Sequence, residues 1–183
     1  MPEKPPEADA AVAELVRSIE AGEDKIELPK ELVEEPETPT AAAPQTSLHA
    51  RILAMDMSEK IKLALRGNRD ARLILVRDGN RLIRRFVLQN PRISDSEIIA
   101  LARNKSTDDE ILRLVCEKRE WMRNYQVRLG LATNPKTPLP VALRQVASLE
   151  QRDLRQIAKS KNVPQAVAAH ARRLLIIAHG GQQ

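Results

Sequence analysis

The apolar positions of this chain fall into short helical stripes separated by polar turns. Between Ser58 and Leu65, the residues Ile61, Leu63, Ala64 and Leu65 supply one apolar surface, and Gly67-Asn68 ends the run. Asp70 to Val76 carries Ala71, Leu73, Ile74, Leu75 and Val76 and stops at the turn signal Asp78-Gly79-Asn80. Helical patterns then recur about every fourteen residues: Arg81–Gln89, Ser94–Arg103, Thr107–Lys118, Trp121–Thr133, Leu139–Ala147, Gln151–Lys159 and Pro164–Ile177. Two starts carry the spacing of a capping box, Ser94 with Glu97 and Thr107 with Glu110. Upstream, Val12, Leu15, Val16 and Ile19 mark one face of a short helix over 10–21, and Ile26, Leu28, Leu32 and Val33 form a smaller cluster. An isolated helix of that length is marginal in water.

The stripes repeat in sequence. Ile83-Arg84-Arg85-Phe86-Val87-Leu88-Gln89 precedes Asn90-Pro91, and Val127-Arg128-Leu129-Gly130-Leu131-Ala132-Thr133 precedes Asn134-Pro135. Fainter echoes start at Asn104 and Asn162. Asparagine tolerates the left-handed conformation and is expected to end one helix, and proline or a hydroxyl opens the next one. A helix pair of this kind cannot bury its apolar face alone, so neighbours must stack. The expected fold is all-α: a short α-solenoid of HEAT-like helical repeats, with about seven to nine helices. An irregular helical bundle is the alternative.

The pattern from Val127 to Pro138, V-R-x-x-x-A-x-N-P-x-T-P, resembles the unit of variant leucine-rich repeats and of related HEAT-like repeats. The stretch from about Ser58 to Leu174 resembles an uncharacterised family of small bacterial helical-repeat proteins. The segments that carry the likeness are SEKIKLALRGNRDARLILVRDGNRLIRRFVLQNPRIS, REWMRNYQVRLGLATNPKTPL and LRQIAKSKNVPQAVAAHARRLL. The resemblance covers the body and not the N-terminal arm. It implies a helical-repeat fold and no activity. Some variant leucine repeat proteins hold an iron–sulfur centre on a cysteine cluster. This chain has one cysteine, Cys116, so that centre does not carry over.

Composition agrees with helices. Aromatic residues make up 2% of the 183 positions and glycine occurs six times, which starves a sheet of its usual material. Charge divides the chain. Residues 1–40 hold four basic and twelve acidic side chains, a net of −8, whereas residues 41–183 hold 26 basic and 13 acidic, a net of +13. With seven prolines among them, residues 1–47 are expected to form a disordered acidic arm, followed by a basic helical-repeat domain over 58–177 and a frayed tail over 178–183. No apolar stretch approaches the ~20 residues of a membrane span, and a soluble, cytoplasmic protein is expected.

Catalytic signatures are missing. No phosphate-binding glycine loop or nucleophile elbow occurs, His49, His170 and His179 are isolated, and one thiol cannot build a zinc site. No enzyme activity, cofactor or metal is expected. The basic residues carry the functional reading: Arg81, Arg84 and Arg85 on one helix, Arg119 and Arg123 around Trp121, then Arg128, Lys136 and Arg144. On a solenoid such residues would line one strip, with Arg84 and Arg128 at equivalent repeat positions. Trp121 reads either as core or as a semi-exposed anchor between arginines. Three roles follow: an adaptor for an acidic protein partner, a nucleic-acid-binding protein, or a body whose basic face its own acidic arm covers.

Overall fold

The computed structural model describes residues 6–35 and 45–180 and is helical throughout, with no strand among those residues. The helices are α1 (Pro6–Ala21), α2 (Lys30–Val33), α3 (Gln45–Ala54), α4 (Met57–Arg66), α5 (Arg69–Leu75), α6 (Arg81–Val87), α7 (Asp95–Arg103), α8 (Asp109–Glu117), α9 (Arg119–Arg123), α10 (Tyr125–Thr133), α11 (Leu139–Val146), α12 (Gln151–Lys159) and α13 (Gln165–Gly180). They divide into two compact units, Met1–Ile93 and Ser94–Gln183.

In the N-terminal unit, α4 starts at a complete capping box. The Asp56 carboxylate accepts from the Glu59 amide and the Glu59 carboxylate from the Asp56 amide. Satisfying those end amides fixes the start of a helix whose Ile61, Leu63, Ala64 and Leu65 are all buried. They form one core with Leu75, Ile83, Phe86 and Val87. Ile19 of α1, Leu32 of α2 and Ile52 of α3 belong to the same core, each at most 1% exposed.

That core corrects the expectation of a disordered arm for residues 10–35. Averaged over 47 residues the arm looks too charged to fold, yet its apolar residues are clustered. Val12, Leu15, Val16, Ile26 and Leu28 pack on the core around Ile19 and Leu32. Basic residues of α4 and α5 offset the local acidity. Lys62 pairs with Asp24 at 2.6 Å and Arg72 with Glu35 at 3.0 Å, and Arg66 donates to the Ile19 and Glu20 carbonyls. The ordered body also begins earlier than Met57, because α3 precedes it. Residues 1–5 and 36–44 of the predicted arm and 181–183 of the predicted tail lie outside the described residues; Ala178 to Gly180 continue α13.

In the C-terminal unit, the capping box expected at Ser94 and Glu97 is complete and opens α7. At the next start, the residue that caps is Asp108, whose side chain accepts from the Glu110 amide. Thr107 is buried instead and donates to the Leu101 carbonyl at 2.9 Å. The helix expected over Trp121–Thr133 is broken at Asn124, whose side chain accepts from the Gln126 amide and caps α10. Val127, Leu131 and Ala132 of α10 are fully buried. A second core gathers Ala132, Ala142, Val146, Leu149, Leu154, Ile157, Val167 and Ala171 from α10 to α13. Gly130 stands where α10 meets α7. A β-carbon there would lie 2.9 Å from that of Ala102, so the aligned Phe86 of the other repeat could not be accommodated.

The asparagines do not end helices in the left-handed conformation, since φ is −74° at Asn104 and −77° at Asn134; their side chains build a polar turn instead. The Oδ1 atoms of Asn90, Asn104 and Asn134 accept from the amide two residues on, at 2.9–3.0 Å. Ser160 Oγ accepts from Asn162 in the same way at 3.1 Å. In all four cases the next helix begins five residues after the turn residue, at Asp95, Asp109, Leu139 and Gln165. Ser160 and not Asn162 therefore carries the fourth echo. Asn80 and Asn124, ten residues ahead of Asn90 and Asn134, both cap a helix start through their side chains.

The amide groups of the turn asparagines tie helices together. Asn90 Nδ2 donates to the carbonyls of Ala64 and Gly67 at the end of α4, and Asn134 Nδ2 to those of Ala102 and Asn104 at the end of α7. Asn68 does the same to Glu31 and Glu34 around α2. Helix ends leave carbonyls without an intrahelical donor, and a buried one is costly if left unpaired. Residues 30–35 thus offer Asn68 the kind of helix-end carbonyl that Asn90 and Asn134 find at α4 and α7.

Candidate basic docking surfaces

The two units differ in how their cations are answered. Met1–Ile93 contains fifteen basic and sixteen acidic residues, a net of −1, while Ser94–Gln183 contains fifteen basic and nine acidic, a net of +6. From Trp121 onward there are ten basic residues and only Glu150 and Asp153 as acids.

Within the N-terminal unit, several cations face carboxylates or carbonyls of the same unit. Arg51 pairs with Glu31, Lys60 with Asp78 at 3.5 Å, and Arg92 donates to the Val33 carbonyl. Arg84 donates to the Asp78 carbonyl at 2.9 Å, so it secures the turn before α6. Arg81 and Arg85 are exposed at the surface of α6. Burial by itself would raise the Asp24 carboxyl, but the Lys62 ammonium and the Ile26 amide outweigh it and hold the group below 3.8. A lowered folded pKa contributes stability at pH values above 3.8, and that contribution is lost as pH falls through the folded value. Asp24→Asn should therefore destabilise the N-terminal unit at pH 6. The gap to the wild type should close on acidification, as read by urea unfolding across pH 6 to pH 2.5.

The C-terminal unit holds the remaining predicted residues. Arg119 and Arg123 are exposed one turn apart on α9, and Arg144 is exposed on α11. Lys136 is exposed and reaches the Ser106 carbonyl at 3.3 Å. Arg128 is half-buried, its guanidinium 5.5 Å from the centre of the Tyr125 ring. Trp121 is 6% exposed and belongs to the core, which removes it as an interface anchor. The Lys118 ammonium lies 4.4 Å above its ring, and burial lowers the lysine pKa.

The equivalence of Arg84 and Arg128 is one of sequence and not of contact. One binds a turn carbonyl and the other rests on an aromatic face.

Other titratable groups here are structural. Burial pushes the Cys116 thiol up to about 11 against the opposing charge of Arg144, so it stays protonated at neutral pH. Burial, and then the hydrogen bond it donates to the Asp153 carboxylate, raise the pKa of the Tyr125 hydroxyl. That bond ties α10 to α12. Among the described residues no three His, Cys, Asp or Glu side chains gather in a way that could hold a metal, and no helix is long and apolar enough to cross a membrane.

One basic face was legible only as charge excess. On α12, Leu154 and Ile157 point into the core, which turns Arg152, Arg155 and Lys159 outward at i, i+3 and i+7. Alongside Arg119, Arg123 and Arg144, these three find no ion-pair or hydrogen-bond partner among the described residues. Compared with known proteins, the chain matches no family model, no curated protein and no solved structure.

Proposed function

We propose that this chain is a non-catalytic helical-repeat adaptor, built on α-solenoid stacking, that binds an acidic protein partner through the exposed cations of its C-terminal unit. The supporting observation is the contrast between units. The acidic N-terminal segment brings its own unit to a net charge of −1, whereas the C-terminal unit keeps +6, and Arg119, Arg123, Arg144, Arg152, Arg155 and Lys159 stand at its surface without an ion-pair partner among the described residues. A solvated surface of one sign steers an oppositely charged partner and raises its encounter rate. Nucleic acid shares that charge. The one tryptophan lies in the core and the one tyrosine is tied to Asp153, so base stacking lacks a platform here.

Fluorescence anisotropy with a labelled glutamate-rich peptide and an RNA oligonucleotide of equal charge tests this reading. At about 150 mM salt the peptide should bind more tightly than the RNA. Arg119→Glu/Arg123→Glu/Arg144→Glu should weaken the peptide about tenfold or more. Tighter binding of the RNA would establish the nucleic-acid reading, and binding of neither at about 50 mM salt overturns both.

A further inference from the structure

The outer face of α13 is built like one side of a helix–helix seam. Ala166, Ala169, Arg173 and Ile176 are all exposed and follow one another at spacings of three, four and three residues. Those are the a and d intervals of a heptad seam. Ile176 is 72% exposed and the adjoining Ile177 64%, the two most exposed large apolar residues among those described. The opposite face of the same helix is already used, since Val167 and Ala171 lie in the core at 0% exposure. Two alanines permit a close backbone approach at one end of the seam, and two isoleucines offer apolar area at the other.

The charge at the middle of the seam selects what covers it. Arg173 occupies the third position, with Arg172 beside it. Arg172 donates to the Ala158 carbonyl at 3.1 Å and so joins α13 to α12. The outward stripe of Arg152, Arg155 and Lys159 belongs to that same hairpin. A second copy of the chain would bring an equally basic hairpin to this face, and like charges across a seam are repulsive. A partner helix with a carboxylate at the central position would be attracted instead.

The geometry points to α13 as the docking site of a single acidic amphipathic helix from a partner protein. Small or branched apolar residues of that helix cover Ile176 and Ile177, and a Glu or Asp meets Arg173. The inference rests on the adaptor reading and specifies where and in what form the partner binds. The α12 stripe steers the helix, and α13 receives it.

The probe is a designed acidic helical peptide with leucines on an a/d seam and one central glutamate, titrated against the full chain. Arg173→Glu should weaken it about tenfold, and replacing the central glutamate by lysine should restore affinity to that variant. Ile176→Ser/Ile177→Ser should weaken it about tenfold while circular dichroism stays unchanged, since both side chains are exposed. Failure of the lysine peptide to rescue Arg173→Glu, or equal binding of a scrambled peptide of the same composition, overturns the seam. If the glutamate-rich peptide still responds to Arg119→Glu/Arg123→Glu/Arg144→Glu, the adaptor reading survives that failure. A dimer in sedimentation that Ile176→Glu dissolves would show a second copy on this face and overturn the inference.

Discussion

Asn134→Asp is expected to cost the C-terminal unit about 3–5 kcal/mol at neutral pH, although the two side chains have the same shape. Asn134 is 2% exposed and makes three side-chain hydrogen bonds. Aspartate keeps the acceptor for the Lys136 amide but presents an oxygen to the carbonyls of Ala102 and Asn104, where the amide group donated. A buried charge then faces two acceptors. The neutral acid can donate to one of them, so the folded pKa of the new carboxyl should lie above its unfolded value. The deficit is therefore smallest below the unfolded carboxyl pKa and grows as pH rises through the folded one. Urea unfolding followed by Trp121, the only tryptophan and a core residue of this unit, reads both effects. Asn134→Ser separates the roles: it retains an acceptor, as Ser160 does in the fourth turn, and should cost about 2 kcal/mol. Equal stability of the Asp variant and the wild type at neutral pH would remove the asparagine tie from the account of the repeat.

Leu32→Ala is the second large effect, at about 2–5 kcal/mol, because the side chain is 0% exposed and its loss leaves a cavity against α4 and α5. The change should also loosen the segment from Asp24 to Glu35. The Asn68 amide donates to the Leu32 carbonyl at 2.8 Å, so its hydrogen exchange should accelerate. Trypsin should cut sooner after the exposed Lys25 and Lys30. Unchanged exchange and proteolysis would mean that this segment contributes nothing to the N-terminal unit. The charged contacts of the same segment are weaker determinants. Arg51 and Glu31 are both about half exposed or more, and such pairs contribute roughly 1 kcal/mol or less.

The helices from α4 onward were legible because each meets its signals locally. Apolar spacing, a capping residue and a polar stop coincide, as at Ser94 and Glu97 for α7. The arm was misread because composition averages over position. Seven prolines and twelve carboxylates hid a short set of apolar residues that find a partner only in three dimensions. At the start of α8, Thr107 and Asp108 compete for the cap, and burial of Thr107 leaves it to Asp108. Of the basic residues, number and excess could be counted along the chain. Exposure of Arg152, Arg155 and Lys159, the turn-binding role of Arg84 and the burial of Trp121 could not.

Sequence by itself determined the helical class, the positions of most helices, the asparagine turns and the uneven charge, because all of these depend on residues within a few positions of one another. Tertiary structure alone decided which carbonyls the asparagine amides reach, which cations meet a carboxylate, and which side of α13 remains open. Those outcomes depend on groups tens of residues apart, whose desolvation and pairing are settled only when the cores of the two units form.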